Sequence, residues 1–238
     1  MAWPLSSPLE GERITELAPA PAAEETPPVH TAKSSARTML REMLETLLFT
    51  LLIFFLVRSV IQNFRVEGSS METNLHTGQY IIVNRIEYLH VDLNFFQRLL
   101  PGNADLPPRL AYLFHLPRRG DIVVFEYPRD TSRDFIKRVI GLPGETVEVR
   151  NNQVLINGSP LSEPYLSEAT RTQMGNMAPV VVPADAVFVM GDNRGNSSDS
   201  RSWGSLPLSK IVGRAWFIYW PQEYWGLIPR GQPTLAAP

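Results

Sequence analysis

The runs GDIVVFEYP, residues 120–128, and DFIKRVIG, residues 134–141, decide the fold class. Each is rich in β-branched and aromatic residues and is bounded by Gly, Pro or Asp, the pattern of a strand. Working outward, GQYIIVNRI (78–86) and VGRAWFIYW (212–220) repeat it. TVEVRNNQVLING (146–158) reads as a hairpin with Asn151-Asn152 at its turn, because Asn tolerates the positive φ that a tight two-residue turn needs. DAVFVMGDN (185–193) ends a strand on a loop-former. Long amphipathic helices do not alternate with these strands, so the expected fold is mainly β, an antiparallel barrel or sandwich over residues 65–220. Residues 221–238 are expected as a C-terminal tail.

Two regions break the pattern. Residues 1–37 carry prolines at 4, 8, 19, 21, 27 and 28, with many Ala, Glu and Ser, and predict a disordered cytoplasmic tail, since little apolar surface offsets ordering entropy. The stretch LLFTLLIFFLVRSVIQNF (47–64) follows. Its uninterrupted core, Leu47–Val57, would cover only about 16 Å of a roughly 30 Å hydrocarbon layer. Extension to Met43–Phe64 spans the layer at the cost of including Glu45 and Arg58, of which Arg58, near the outer end, can snorkel toward headgroups. The segment is apolar on all sides, so residues 38–64 are expected to form a transmembrane anchor. Lys33, Arg37 and Arg41 precede the apolar stretch and favour a cytoplasmic N-terminus, with the remainder on the extracytoplasmic face of the cell membrane. The second region, Glu87–Arg119, holds LNFFQRLL and RLAYLFHL around PGNADLPP. These short apolar pieces fit helical turns on the core or elements resting on a bilayer.

The 238 residues contain no cysteine, which removes disulfides, thiol nucleophiles and Cys-based metal sites together. The four histidines, at 30, 76, 90 and 115, form no HxH or HxxxH pair and give a metal site no support. A net charge of −2 offers no basic field for nucleic acid.

Two adjacent serines, Ser69 and Ser70, lie in VEGSSMETNL (66–75), just beyond the apolar segment. A serine hydroxyl is a weak nucleophile until a base takes its proton. His76 is near in sequence, but a triad needs a buried carboxylate behind the imidazole. Lys137 offers another base. By strand alternation it shares a face with Phe135 and Val139, and an apolar setting lowers an amine's pKa. A fall from about 10.4 to about 8 takes roughly 3 kcal/mol and leaves about half the amine neutral near pH 8. Arg138 offers an equal argument for the opposite face, and alternation does not choose between them. GDNRGNSSDSRSWG (191–204) holds Ser197, Asp199 and Arg201, which point to one side if the segment is extended. They can supply a polar partner for the amine and a buried ion pair.

In order, GSSM, RGDIVVFEYP, KRVIGLPGE and GDNRGNSSDSR, behind an apolar segment, resemble the bacterial type I signal peptidases, membrane-anchored Ser–Lys proteases. The resemblance covers Val66 to Arg201. It implies Ser70 as nucleophile, Lys137 as general base, Ser197 as the residue orienting the lysine, and Asp199–Arg201 as a structural ion pair, with Met71 packing near the site. It also implies preprotein signal peptides with small residues at the cleavage site as substrate, the lipid bilayer as partner, and no cofactor. The sequence departs from the family at two places. The usual Ser-Met-x-Pro-Thr-Leu reads SMETNL here, so Thr73 stands where proline is expected. At Gly68, where one branch places an oxyanion-binding hydroxyl, there is no side chain, which leaves the Ser70 N–H as donor.

Overall fold

The computed structural model describes residues 36–103, 105, 106 and 109–235. The expected tail 1–37 lies outside these except for its last two residues. Two compact units divide the chain, residues 1–47 and 48–238. Helix α1, Ala36–Val60, begins in the first and continues into the second. Its large apolar side chains from Met39 to Val57 are exposed, from 43% at Leu51 to 69% at Met43. Yet among the described residues no helix is long and apolar enough to cross a membrane. Charge is the physical reason: Arg37, Arg41, Glu42 and Glu45 fall in the first half of α1, and Arg58 stands near its end. The helix also stops four residues short of Phe64, where Ile61–Arg65 pairs with Tyr80–Asn84 as a strand instead.

The rest is mainly antiparallel β, as expected. In chain order the first strands are β1 (Ile61–Arg65), β2 (Tyr80–Asn84), β3 (His90–Asp92), β4 (Leu110–Tyr112), β5 (Ile122–Tyr127), β6 (Asp130–Gly141), β7 (Thr146–Arg150) and β8 (Gln153–Ile156). They are followed by β9 (Ser159–Ser162), β10 (Met177–Val181), β11 (Ala186–Met190), β12 (Leu206–Pro207), β13 (Ile211–Trp220), β14 (Gly226–Leu227) and β15 (Thr234–Leu235). The short helices are α2 (Phe95–Arg98), α3 (Glu168–Arg171) and α4 (Ser200–Trp203). One sheet runs β1-β2-β13-β5-β6-β11-β12, with β14 on β13; a second runs β10-β7-β8-β9-β15; β3 and β4 pair by themselves. The hairpin turn forms where expected, with φ of 51° at Asn151 and 61° at Asn152. Residues 221–238, expected as a tail, supply β14 and β15.

Strand β6 is the axis of the main sheet. Val123 pairs with Lys137 on one side, and Met190 with Arg138 on the other. Its buried residues feed three apolar clusters. Ile140 packs with Val147, Val154 and Phe188 beside the second sheet. Val139 packs with Phe125 and Val189. Ile136 leans on a cluster of Met71, Leu75, Ile81 and Val124, which lies under the serine loop. Both faces of β6 are therefore covered. This is why Lys137 and Arg138, successive residues on opposite faces, are both buried, at 4% and 1% exposure.

Candidate active site

Ser70 sits in the turn that follows β1. Gly68 has φ +79°, a left-handed kink that the absence of a Cβ permits. One helical turn comes next, closed by bonds from the N–H of Asn74 (3.1 Å) and Leu75 (2.9 Å) to the Met71 carbonyl. Met71 is 1% exposed and anchors this turn in the apolar cluster beneath. The turn delivers Ser70 Oγ to 2.7 Å from Lys137 Nζ.

The lysine amine also donates to the Ile136 carbonyl at 2.8 Å, and its Nζ lies 5.4 Å from the centre of the Phe135 ring. Burial pushes its pKa down to about 8, against the opposing pull of Asp199 and then Asp192. Lys137 has no carboxylate in its hydrogen bonds, so the neutral amine is accessible near neutral pH. Its neighbour Arg138 has the opposite solution. Its Nε and Nη2 bind the two oxygens of Asp192 at 2.8 and 2.6 Å, Nη1 donates to the Gly120 carbonyl at 2.8 Å, and the guanidinium lies 4.0 Å from the Tyr165 ring centre.

The loop after β11 grips the serine turn. The Asn193 N–H donates to the Ser70 carbonyl and its Nδ2 to the Ser69 carbonyl, both at 3.0 Å. Asn196 Nδ2 donates to Ser69 Oγ at 2.8 Å. The two serines are thus distinguished: Ser69 is held by an amide, Ser70 faces the amine. Gly191 makes room for the arrangement, since a Cβ there would press into Ser197 Oγ and stand 2.5 Å from the Ser70 carbonyl. Sequence reasoning missed Asn193, Asn196 and Gly191. Their only signal is the turn-forming composition of GDNRGN, which does not say what the amides hold.

Asp199 and Arg201 form their pair, with Nη2 and Nε each 2.8 Å from a carboxylate oxygen. The segment is not extended, however. Asp199 caps α4 by accepting the Arg201 N–H, and a short polar residue before a helical turn does this readily. Burial would raise the Asp199 carboxyl, but the Arg201 guanidinium and the Gly191 N–H outweigh it and hold it below the usual carboxylate range. Arg201 also reaches back to the Arg194 carbonyl at 2.8 Å, which fixes the loop.

Ser197 differs from its expected part. Its Oγ is buried near enough to Asp199 to help keep that carboxyl low, yet it makes no hydrogen bond of ordinary geometry. The Ile136 carbonyl, not Ser197, is the second partner of the amine. His76 pairs with Glu72 at 2.8 Å and packs against Tyr224, so neither of these contacts involves Ser70.

A cleft of about 570 Å³ opens at the pair. Phe64–Ser70 form one wall and Arg133–Lys137 the other, with Ile81 and Val124 below. Among the described residues no group of His, Asp and Glu is placed to hold a metal ion.

Residues 40–220 match the family model of the signal peptidases, peptidase S26. The chain belongs to this family. It is 43% identical over 154 residues to probable signal peptidase I-1 of Synechocystis sp., covering 56% of this chain and 77% of that one. Signal peptidase I of Leptolyngbya laminosa is 44% identical over 142 residues, 52% of this chain and 68% of that protein. Signal peptidase I T of Bacillus subtilis is 34% identical over 200 residues, 80% of this chain and 90% of the other. As a family member the chain is a serine peptidase, a hydrolase.

Proposed function

We propose that this peptidase removes N-terminal signal peptides from exported preproteins with Ser70 as nucleophile and Lys137 as general base. The observation that carries the reading is the 2.7 Å approach of Lys137 Nζ to Ser70 Oγ in a site that lowers the amine's pKa. Neutral Lys137 takes the hydroxyl proton as Ser70 attacks the scissile carbonyl. The Ser70 N–H stabilises the oxyanion, Gly68 contributing no side-chain donor. The new ammonium gives its proton to the leaving amine, which departs with the mature chain. Water then splits the acyl-enzyme, passing a proton to Lys137 as it attacks, and Ser70 recovers its hydrogen. The ammonium has one more N–H than the amine. Ser197, whose buried hydroxyl has a spare lone pair, is the acceptor that orients it, and Asp199–Arg201 holds that loop in place. Small residues at the cleavage site match a cleft walled by Phe64, Val66 and Ile136, in which the substrate adds as an extended strand.

Residues 38–64 serve as the membrane anchor of this reading, and 65–220 as its catalytic body with insertion 87–119. Support comes from Leu47–Val57, an apolar run with exposed side chains. Arg58, near the outer end of that run, would snorkel toward the headgroups. The N-terminus is cytoplasmic and the body extracytoplasmic. Protease added outside intact cells should digest the body; full protection would reject this topology.

Cleavage of a purified preprotein tests the dyad. Ser70→Ala and Lys137→Ala should each lose activity by about 10³-fold or more, while Ser69→Ala retains most of it. Wild-type rates in either of the first two variants would reject the assignment.

A further inference from the structure

The ribbon of β3 and β4 is built inside out. In most antiparallel sheets the apolar face packs inward and the polar face meets water. Here Val91 pairs with Ala111, and the backbone bonds Leu113 N–H to the Leu89 carbonyl (2.9 Å) and Leu93 N–H to the Arg109 carbonyl (2.8 Å) extend the ladder. Residues opposite each other share a face, as do residues two apart. One face therefore carries Leu89, Val91, Leu93, Ala111 and Leu113, of which the four large residues are 45–56% exposed. The other carries His90, Asp92 and Tyr112, which are half-buried, with the rings of His90 and Tyr112 5.3 Å apart. Helix α2 extends the exposed apolar surface, with Phe96 at 78% and Leu99 just beyond it at 68%.

The exposed charges of this segment are one-sided. Among the described residues 85–119, the exposed charged groups are Arg85, Arg109 and Arg118 against Asp105 alone. The other two acids are engaged. Glu87 pairs with Arg214 at 2.5 Å and with Arg230. Asp92 accepts the N–H groups of Asn94 and Arg109 at 3.0 Å and pairs with Arg98. Apolar and aromatic side chains with Arg109 on the same face, in a segment whose exposed charges are mostly arginine, match the boundary between acyl chains and anionic headgroups. Patches of this extent mark an interaction surface rather than ordinary exposure.

We propose that the exposed face of the β3–β4 ribbon and α2 docks into an anionic lipid bilayer, as an attachment separate from α1. Phe96 and Leu99 enter the acyl boundary, and Arg109, on the same face of the ribbon as Leu93, lies at the phosphates. The inference does not depend on the peptidase chemistry, and its test contains no cleavage step.

The absence of cysteine makes single-site labelling direct. The full chain carrying Phe96→Cys or Leu99→Cys is labelled with an environment-sensitive fluorophore and reconstituted into vesicles of mixed phosphatidylcholine and phosphatidylglycerol. Val181→Cys, on exposed β10, is the reference. Quenching by nitroxide-bearing lipid should be several-fold stronger at 96 and 99 than at 181, and quenching by aqueous iodide correspondingly weaker. It should fall in vesicles of phosphatidylcholine alone. Iodide access at 96 and 99 equal to that at 181 would overturn the proposal. Protection without lipid quenching, growing with the protein-to-lipid ratio, would also overturn it, since a second copy would then cover the face. Lipid quenching unchanged without phosphatidylglycerol would overturn the anionic part of the proposal and the role given to Arg109.

Discussion

Thr73 is one of the two positions at which this chain parts from the pattern it resembles, and its backbone explains the difference. Its φ is +85°, a left-handed conformation that a β-branched residue adopts only at a cost. Proline, fixed near −65°, has no access to it. The turn after the nucleophile is held by the next side chain instead. Asn74 Nδ2 donates to Asp192 Oδ2 at 2.8 Å and to the Tyr165 carbonyl at 3.1 Å, which ties the turn to the buried Arg138–Asp192 pair. Restoring the family's proline alone, Thr73→Pro, should therefore destabilise this protein by about 1–3 kcal/mol and lower cleavage with it. Thr73→Gly should be neutral or stabilising. Thermal unfolding of the three proteins checks this; a more stable Thr73→Pro would show that the left-handed turn is not needed.

At the scale of one element, β6 carries two adjacent cations into the core and treats them differently. Arg138 is charged and matched by Asp192; Lys137 is left without a carboxylate in its hydrogen bonds, and its pKa falls to about 8. The lysine thereby lowers stability. Its folded pKa lies below the unfolded value of about 10.4, so the unfolded chain binds more protons between those limits and stability rises with pH across that window. Below about pH 8 the cost of the buried ammonium is felt in full, on the order of 3 kcal/mol. Lys137→Met should abolish cleavage yet raise the denaturation midpoint at pH 7, with the difference shrinking by pH 10. A less stable Lys137→Met at pH 7 would mean that the amine is not penalised by burial. Alternation in DFIKRVIG left Lys137 and Arg138 equivalent, because a strand alone does not reveal that separate clusters cover its two faces.

Across the whole molecule, what was legible in the sequence is what is local. Gly, Pro and Asp bound the strands, and Asn151-Asn152 turns its hairpin, since neighbouring residues determine these conformations. The Ser70–Lys137 pairing is 67 residues apart in sequence. Periodicity offered each residue only as a candidate, and the ordered family motifs linked them. The amides that clamp the serine turn, from Asn193, Asn196 and Asn74, stayed hidden because a polar loop residue looks alike whether it meets water or a backbone carbonyl 124 residues away, as Asn193 does at Ser69. Helix α1 and the β3–β4 ribbon show the reverse limit. Their apolar runs were plain, but that those side chains are left exposed appears only in the folded chain.

The most direct test of the account is the pH dependence of preprotein cleavage by the wild-type enzyme. If neutral Lys137 takes the Ser70 proton, the rate climbs with pH through an apparent pKa of about 8. A rate already at its maximum at pH 7, or one that follows a group titrating near about 6.5 as a histidine would, would contradict it.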